Sequence, residues 1–282
     1  MLLSVSKVTE NVCIGVEKKT IPVLPARINC HNFVFTMLLY PNAKINLGLN
    51  VIRKRSDGYH DIETLFFPVP ELCDVLELTH AGTFRMRVYG TRIEGENLCE
   101  KAWRLMNRRF GIPPVEIGLC KKIPMGAGLG GGSSDAAFTL AGLNALFSVG
   151  LPADELAGLA AELGSDCPFF IYNRPMLARG RGEMLTPCDF SLAGHRLRIV
   201  PQDVFVSTRE AYAGITPREP AHRIESVLKR PVEQWKGLLV NDFEETVFAR
   251  HPELAVAKQA LYDEGALYVS MSGSGSALFA IY

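Results

Sequence analysis

Residues 124–134 limit what this chain can become more than any other stretch. They read Pro124-Met125-Gly126-Ala127-Gly128-Leu129-Gly130-Gly131-Gly132-Ser133-Ser134, and Asp135-Ala136-Ala137 then opens an apolar run. Five glycines within seven positions free the backbone to reach positive φ and to approach a ligand closely. A helix that begins directly after them offers unpaired N–H groups and the positive end of its dipole, which together bind phosphate. Ser133 and Ser134 are placed to cap that helix or to bind a magnesium-held phosphate. A plain strand-to-helix connection needs far fewer glycines, so the stretch reads as a phosphate loop.

Two familiar phosphate loops are excluded. Gly126 and Gly131 have the Walker spacing, but Gly132 stands where that motif needs lysine. Gly126, Gly128 and Gly131 match the dinucleotide pattern, which also requires a strand after the helix with an acidic residue at its tip. Here a second helical pattern, LPADELAGLAAELG, follows the first with no strand between. Protein-kinase loops of the H-R-D and D-F-G type are absent.

Composition narrows the class further. A chain of 282 residues with 48% hydrophobic residues has ample material for a core. Lys+Arg and Asp+Glu both number 30, so no net field draws nucleic acid or an anionic membrane, and neither is expected as a partner. Seven scattered cysteines with no C-x-x-C pair argue against a disulfide scaffold and a zinc site, and they suit a reducing cytoplasm. No run of 18 apolar residues occurs, and the amino terminus lacks the pattern of a secretory signal.

Along the chain, residues 1–36 show no clear periodicity and are expected to be an added arm or upstream sequence, so a chain beginning at Met37 should fold. Ile45, Leu47, Leu49 and Val51 alternate with polar or small residues, the pattern of a strand with one buried face. Asp57-Gly58 signals a hairpin turn. Asn97 caps a helix with Trp103, Met106 and Phe110 on one face and Gly111 at its end. Further helices are expected from Ser133 or Ser134 to Phe147, over Pro152–Leu163, near Ile224–Lys236 and over Pro252–Glu264. A last strand broken by glycines runs to Tyr282. Strands dominate early and helices are interspersed without strict alternation, so the fold class is α+β in two lobes, 37–190 and 191–282, divided near Asp189–His195.

The string PMGAGLGGGSSDAA closely resembles the phosphate loop of the GHMP small-molecule kinases. Three more segments agree in order: PNAKINLGLNVIRKRSDGYHDIETLF at 41–66, LGSDCPFF at 163–170 and SMSGSGSALF at 270–279. AKINL together with DGYH resembles the branch that acts on a cytidine diphosphate-linked methylerythritol. The resemblance covers roughly residues 38–282. It implies a ribosomal protein S5 domain 2-like amino-terminal lobe, a ferredoxin-like carboxy-terminal lobe, and ATP as phosphoryl donor with Mg²⁺. Where many members continue with a helix and a strand, this chain ends at Tyr282, so a short branch or a truncation is expected.

The same resemblance assigns the site. Lys44 and Asp166 become the catalytic pair, with Asp166 taking the substrate hydroxyl proton; read alone, Asp166 would be a helix cap before Pro168. Asn46, two residues along the strand from Lys44, is placed on the methylerythritol hydroxyls. Tyr59 and Tyr212 are expected to sandwich the cytosine, His60 to bind its edge, Thr208 to contact substrate, and Lys121 to lie near ribose and diphosphate. Gly273, Ser274 and Gly275 are expected beside the phosphate loop; read alone, they could be a β-bulge. Magnesium is expected on the ATP phosphates, with Ser134 as a protein ligand. The rival functions are a GHMP kinase for another alcohol and a nucleotide-binding protein without catalysis.

Overall fold

The computed structural model describes residues 36–90 and 95–282; apart from Thr36, the amino-terminal extension lies outside the described residues. The strands are β1 (Thr36–Leu39), β2 (Asn42–Lys54), β3 (His60–Cys73), β4 (Val75–His80), β5 (Arg85–Tyr89), β6 (Val115–Cys120), β7 (Met176–Gly180), β8 (Met184–Pro187), β9 (Leu197–Val200), β10 (Tyr268–Met271) and β11 (Leu278–Ile281). The helices are α1 (Leu98–Phe110), α2 (Gly131–Leu146), α3 (Ala153–Leu163), α4 (Cys167–Tyr172), α5 (Thr208–Ala213), α6 (Ile224–Leu228), α7 (Phe243–Arg250) and α8 (Pro252–Asp263). The α+β class holds.

Two compact units form, and neither is a continuous stretch of chain. The first takes the described residues up to Ala43, with Val69–Ile123 and Gly131–Asn173; the second takes Lys44–Pro68, Pro124–Gly130 and Arg174–Tyr282. This differs from a single division at 190/191, because β2 and β3 are long enough to serve both units.

In the first unit a sheet runs β1-β4-β6-β5, antiparallel except for the parallel β5–β6 pair. Helix α2 lies close on this sheet. A Cβ at Gly142 would come within 2.6 Å of Leu39 and Leu78, so glycine there permits the approach. Asn97 caps α1 by accepting from the Cys99 N–H at 2.8 Å, and Gly111 ends it at φ 64°. The buried face of α1 is Cys99, Ala102, Leu105 and Met106 rather than Trp103, Met106 and Phe110. Phe110 stays exposed, and Trp103 instead stacks on Phe84 at 4.2 Å.

The second unit holds the sheets β2-β3-β7-β8 and β10-β11-β9. Strand β2 is buried on both faces, including Asn46 and Asn50, so the expected solvent-facing side does not exist. Helix α6 stops at Leu228 rather than Lys236, because Pro231 lacks an N–H and disfavours helix before it; a short turn at Val232–Gln234 follows. The glycines of the last segment fold it into the β10–β11 hairpin.

Candidate active site

Within the second unit, β2 delivers Lys44 to the glycine loop. The Lys44 N–H donates to the Leu129 carbonyl at 3.0 Å, and Nζ donates to the Gly128 carbonyl at 3.0 Å and to Asn46 Oδ1 at 2.6 Å. Asn46 Nδ2 donates to Thr64 Oγ1 at 3.0 Å, and Thr64 donates onward to the Gly48 carbonyl at 2.6 Å. Both ends of the Asn46 amide are thereby engaged in a buried position. The side chain holds the lysine from the next inward position of the same strand.

The second glycine motif packs directly on the loop. Ser272 Oγ donates to the Gly128 carbonyl at 2.9 Å, and the Ala277 N–H donates to the Ala127 carbonyl at 3.2 Å. Asn241 Nδ2 holds the motif by donating to the carbonyls of Met271 at 2.8 Å and Gly273 at 2.9 Å. Gly275 is buried and Ser274 half-buried. The approach is so close that a Cβ on Gly128, at φ +74°, would stand 1.9 Å from the Ser272 carbonyl oxygen. Because the peptide is planar and trans, fixing the Gly128 carbonyl on Lys44 and Ser272 turns the Leu129 N–H the opposite way. Pro124, Met125, Gly126, Ala127, Gly128, Leu129 and Gly130 all belong to this unit. Phe205, exposed and unforeseen from sequence, lies against Gly126, where a Cβ would meet its ring at 2.6 Å.

In the first unit, Gly131, Gly132, Ser133 and Ser134 form the opening turn of α2, two to three residues earlier than expected. Ser134 Oγ and Asp135 Oδ1 are buried without a hydrogen-bond partner. Lys121 departs from its expected place near ribose and diphosphate. Its ammonium is buried, paired to Asp74 and, at 2.6 Å, to Asp135 Oδ2. Two carboxylates flank one ammonium, so Lys121 is held above its usual pKa despite its burial. Burial, only partly offset by Lys121, pushes Asp135 up to about 8.

That raised carboxyl predicts a pH dependence. The Asp135 pKa is higher folded than unfolded, so the native state binds the extra proton between the ordinary carboxylate range and about 8. Stability from this group is full at low pH and falls as pH rises through that window. Asp135→Asn, neutral throughout, should flatten denaturant midpoints between pH 5 and pH 8. Parallel curves for parent and variant would show Asp135 ionised throughout.

Asp166 precedes α4 at its N-cap position, half-buried, with Pro168 in the first turn, yet its carboxylate makes no capping bond. The plain capping role is therefore set aside. Gly164, Cys167 and Ser133 surround this corner: a Cβ on Gly164 would lie 3.3 Å from Cys167 Sγ and 4.0 Å from Ser133 Oγ.

The DGYH turn is built by local bonds. Asp57 Oδ1 accepts from the Tyr59 N–H at 3.1 Å, and the Arg55 N–H donates to the Tyr59 carbonyl at 2.8 Å. Tyr59 is 56% exposed, with the Arg181 guanidinium 5.0 Å from its ring centroid. Tyr212, in α5, stacks on His60 at 4.7 Å and 20°, and meets the edge of Phe243 at 4.7 Å. A base sandwiched by Tyr59 and Tyr212 is thus not preformed, since the imidazole covers one face of Tyr212. Thr208 begins α5 and is exposed; Ser207 supplies the cap, accepting from the Glu210 N–H at 3.1 Å.

Among the described residues no group of three or more His, Cys, Asp or Glu could hold a metal ion, and no helix is long and apolar enough to cross a membrane. Cys73, Cys99, Cys120, Cys167 and Cys188 form no disulfide.

The model for the GHMP kinases N terminal domain matches residues 97–174, and that for the GHMP kinases C terminal matches 224–282. The chain is 49% identical over 253 residues to the 4-diphosphocytidyl-2-C-methyl-D-erythritol kinase of Bacteroides thetaiotaomicron, covering 87% of this chain and 92% of that one. It is 47% identical over 249 residues to the protein of the same name from Parabacteroides distasonis, at the same coverage. A crystal structure of 4-(cytidine 5'-diphospho)-2C-methyl-D-erythritol kinase superposes with a TM-score of 0.75 at 36% identity, covering 86% of this chain and 89% of that one. Homoserine kinase from Cytophaga hutchinsonii shares the fold at a TM-score of 0.63 and 20% identity. A lysine-braced glycine loop opening a helix, with relatives this similar along nearly their whole length, establishes that the chain belongs to the 4-diphosphocytidyl-2-C-methyl-D-erythritol kinase family of GHMP kinases.

Proposed function

We propose that this protein transfers the γ-phosphoryl group of ATP to the 2-hydroxyl of 4-diphosphocytidyl-2-C-methyl-D-erythritol in the non-mevalonate isoprenoid route, in the cytoplasm. The observation that carries the reading is the Lys44 ammonium on the Gly128 carbonyl, inside a loop that opens a helix. Asp166 accepts the hydroxyl proton as the 2-oxygen forms its bond to the γ-phosphorus. The bond from that phosphorus to the β-γ bridging oxygen breaks, and ADP leaves with the electron pair. Lys44 offsets the charge that builds on the transferring oxygens, and the loop and α2 amides orient the phosphates. Magnesium fits as a phosphate-held ion, with the partnerless Ser134 Oγ as the protein atom to receive it, and when bound it neutralises phosphate charge.

The test is ADP release with the cytidine substrate present and absent, beside homoserine and mevalonate. Release dependent on the cytidine substrate is expected; release with another alcohol alone would move the protein to a different branch of the family.

Recognition of the base is assigned to Tyr59, Tyr212, His60 and Thr208. Stacking on an aromatic ring contributes about 1–3 kcal/mol per base, which corresponds to roughly 5–150-fold in affinity. Tyr59→Ala should raise KM for the cytidine substrate by that factor, with KM for ATP and the melting temperature unchanged, since the ring is exposed. Tyr212→Ala should raise the same KM and also lower stability, because the ring packs on Phe243. Unchanged cytidine KM in both variants would remove aromatic stacking from the site.

A further inference from the structure

The glycine loop leaves the body of the first unit at Ile123 and re-enters it at Gly131. Both ends meet one buried carboxylate. Asp74, wholly buried at the start of β4, accepts from the Lys122 N–H and, at 2.9 Å, from the Ile123 N–H, both through Oδ1. Its Oδ2 takes the Lys121 ammonium, which donates in turn to Asp135 Oδ2 at 2.6 Å, in the first turns of α2. The ends are in contact: a Cβ at Gly131 would stand 3.0 Å from Ile123 Cγ2 and 3.2 Å from Lys121 Nζ. Asp74 is itself fixed, its N–H donating to the Pro41 carbonyl at 2.8 Å.

We propose that Asp135 is a positioning residue for the nucleotide: through Lys121 it ties the N-terminal part of α2 to Asp74, so that one carboxylate fixes both ends of the phosphate loop. Burial makes this tie strong, because a hydrogen bond donated by a charged ammonium gains when water is excluded. It also makes the tie costly to keep, since two carboxylates face a single ammonium and Cys99 on α1 adds only a buried thiol. A core built for stability alone would do better with apolar residues here. The position of the cluster, at the two ends of the loop and nowhere else, accounts for its presence.

This inference rests on the kinase reading, and a binding measurement keeps the two separable. Asp135→Ala cuts the tie but leaves Lys121 paired with Asp74, so no buried charge is stranded and the variant should fold. Its Kd for a non-hydrolysable ATP analogue, read by calorimetry, should rise about 10-fold to 100-fold, the scale on which removing a partner that orients a binding group weakens affinity. KM for ATP should follow, while KM for the cytidine substrate stays within about twofold. Asp135→Asn keeps an acceptor for Lys121 and should recover most of the loss. Analogue affinity equal to the parent in Asp135→Ala would overturn the proposal, as would equal losses in the Ala and Asn variants. So would a parallel rise in the cytidine KM, which marks general loosening of the fold. A parent chain that binds the analogue but releases no ADP with the cytidine substrate sinks the kinase reading, and the Kd comparison still decides the tie.

Discussion

Asp166→Asn should lower turnover by ~10²–10⁴-fold, the usual contribution of a general base, while KM for ATP stays close to the parent value. The amide keeps the size of the carboxylate but cannot take the hydroxyl proton. The helix should not suffer, because the Asp166 side chain makes no capping bond to α4. Lys44→Ala should look different. Its ammonium also braces the Gly128 carbonyl, so removing it leaves that carbonyl to Ser272 and loosens the loop. The expected result is a comparable loss in turnover together with a raised KM for ATP. A double variant that loses far less than the product of the two factors would show the residues acting as one unit. Near-parent turnover in Asp166→Asn would withdraw the base assignment.

Gly128→Ala should be almost as damaging, for a steric reason. At φ +74° a non-glycine residue is strained by about 1–3 kcal/mol, before any contact is counted. Its Cβ would also fall 1.9 Å from the Ser272 carbonyl oxygen, and backbone atoms cannot swing aside as a side chain does. Either the loop or the β10–β11 hairpin must move. A shift of about 1 Å in groups that hold a reacting phosphate costs on the order of 10²-fold in rate. The expected outcome is a loss of kcat/KM of that order with a lower melting temperature. Gly132→Ala is the stability control: it lies on α2 with nothing nearer than Leu98 Cδ1 at 3.9 Å, so its melting temperature should match or exceed the parent's. Equal thermal behaviour of the two variants would mean that the hairpin and the loop are not locked together.

Where the chain carries a local signal, it was legible without the structure. The phosphate loop announced itself because phosphate binding needs glycines and a helix start side by side, and both are local. The α1 cap and its glycine stop were equally clear, since capping is settled within a few residues of Asn97 and Gly111. The DGYH turn belongs here too, held by Asp57 and Arg55 within its own loop.

Side chains whose role depends on partners far along the chain could not be read this way. Lys121 looked like a ligand for diphosphate; Asp74, 47 residues before it, turns it inward. Asn46 carries no local sign that Lys44 and Thr64 are its hydrogen-bond partners. Strand β2 was given a solvent face by its alternation, but Lys44 and Asn46 on its second face are buried and hydrogen-bonded. Sequence alone therefore determined the family of this protein, because a glycine loop and its companion motifs in family order are properties of the residues themselves. The tertiary structure decided which polar groups remain to meet a ligand, because a buried donor or acceptor is claimed by whichever partner the fold brings within about 3 Å.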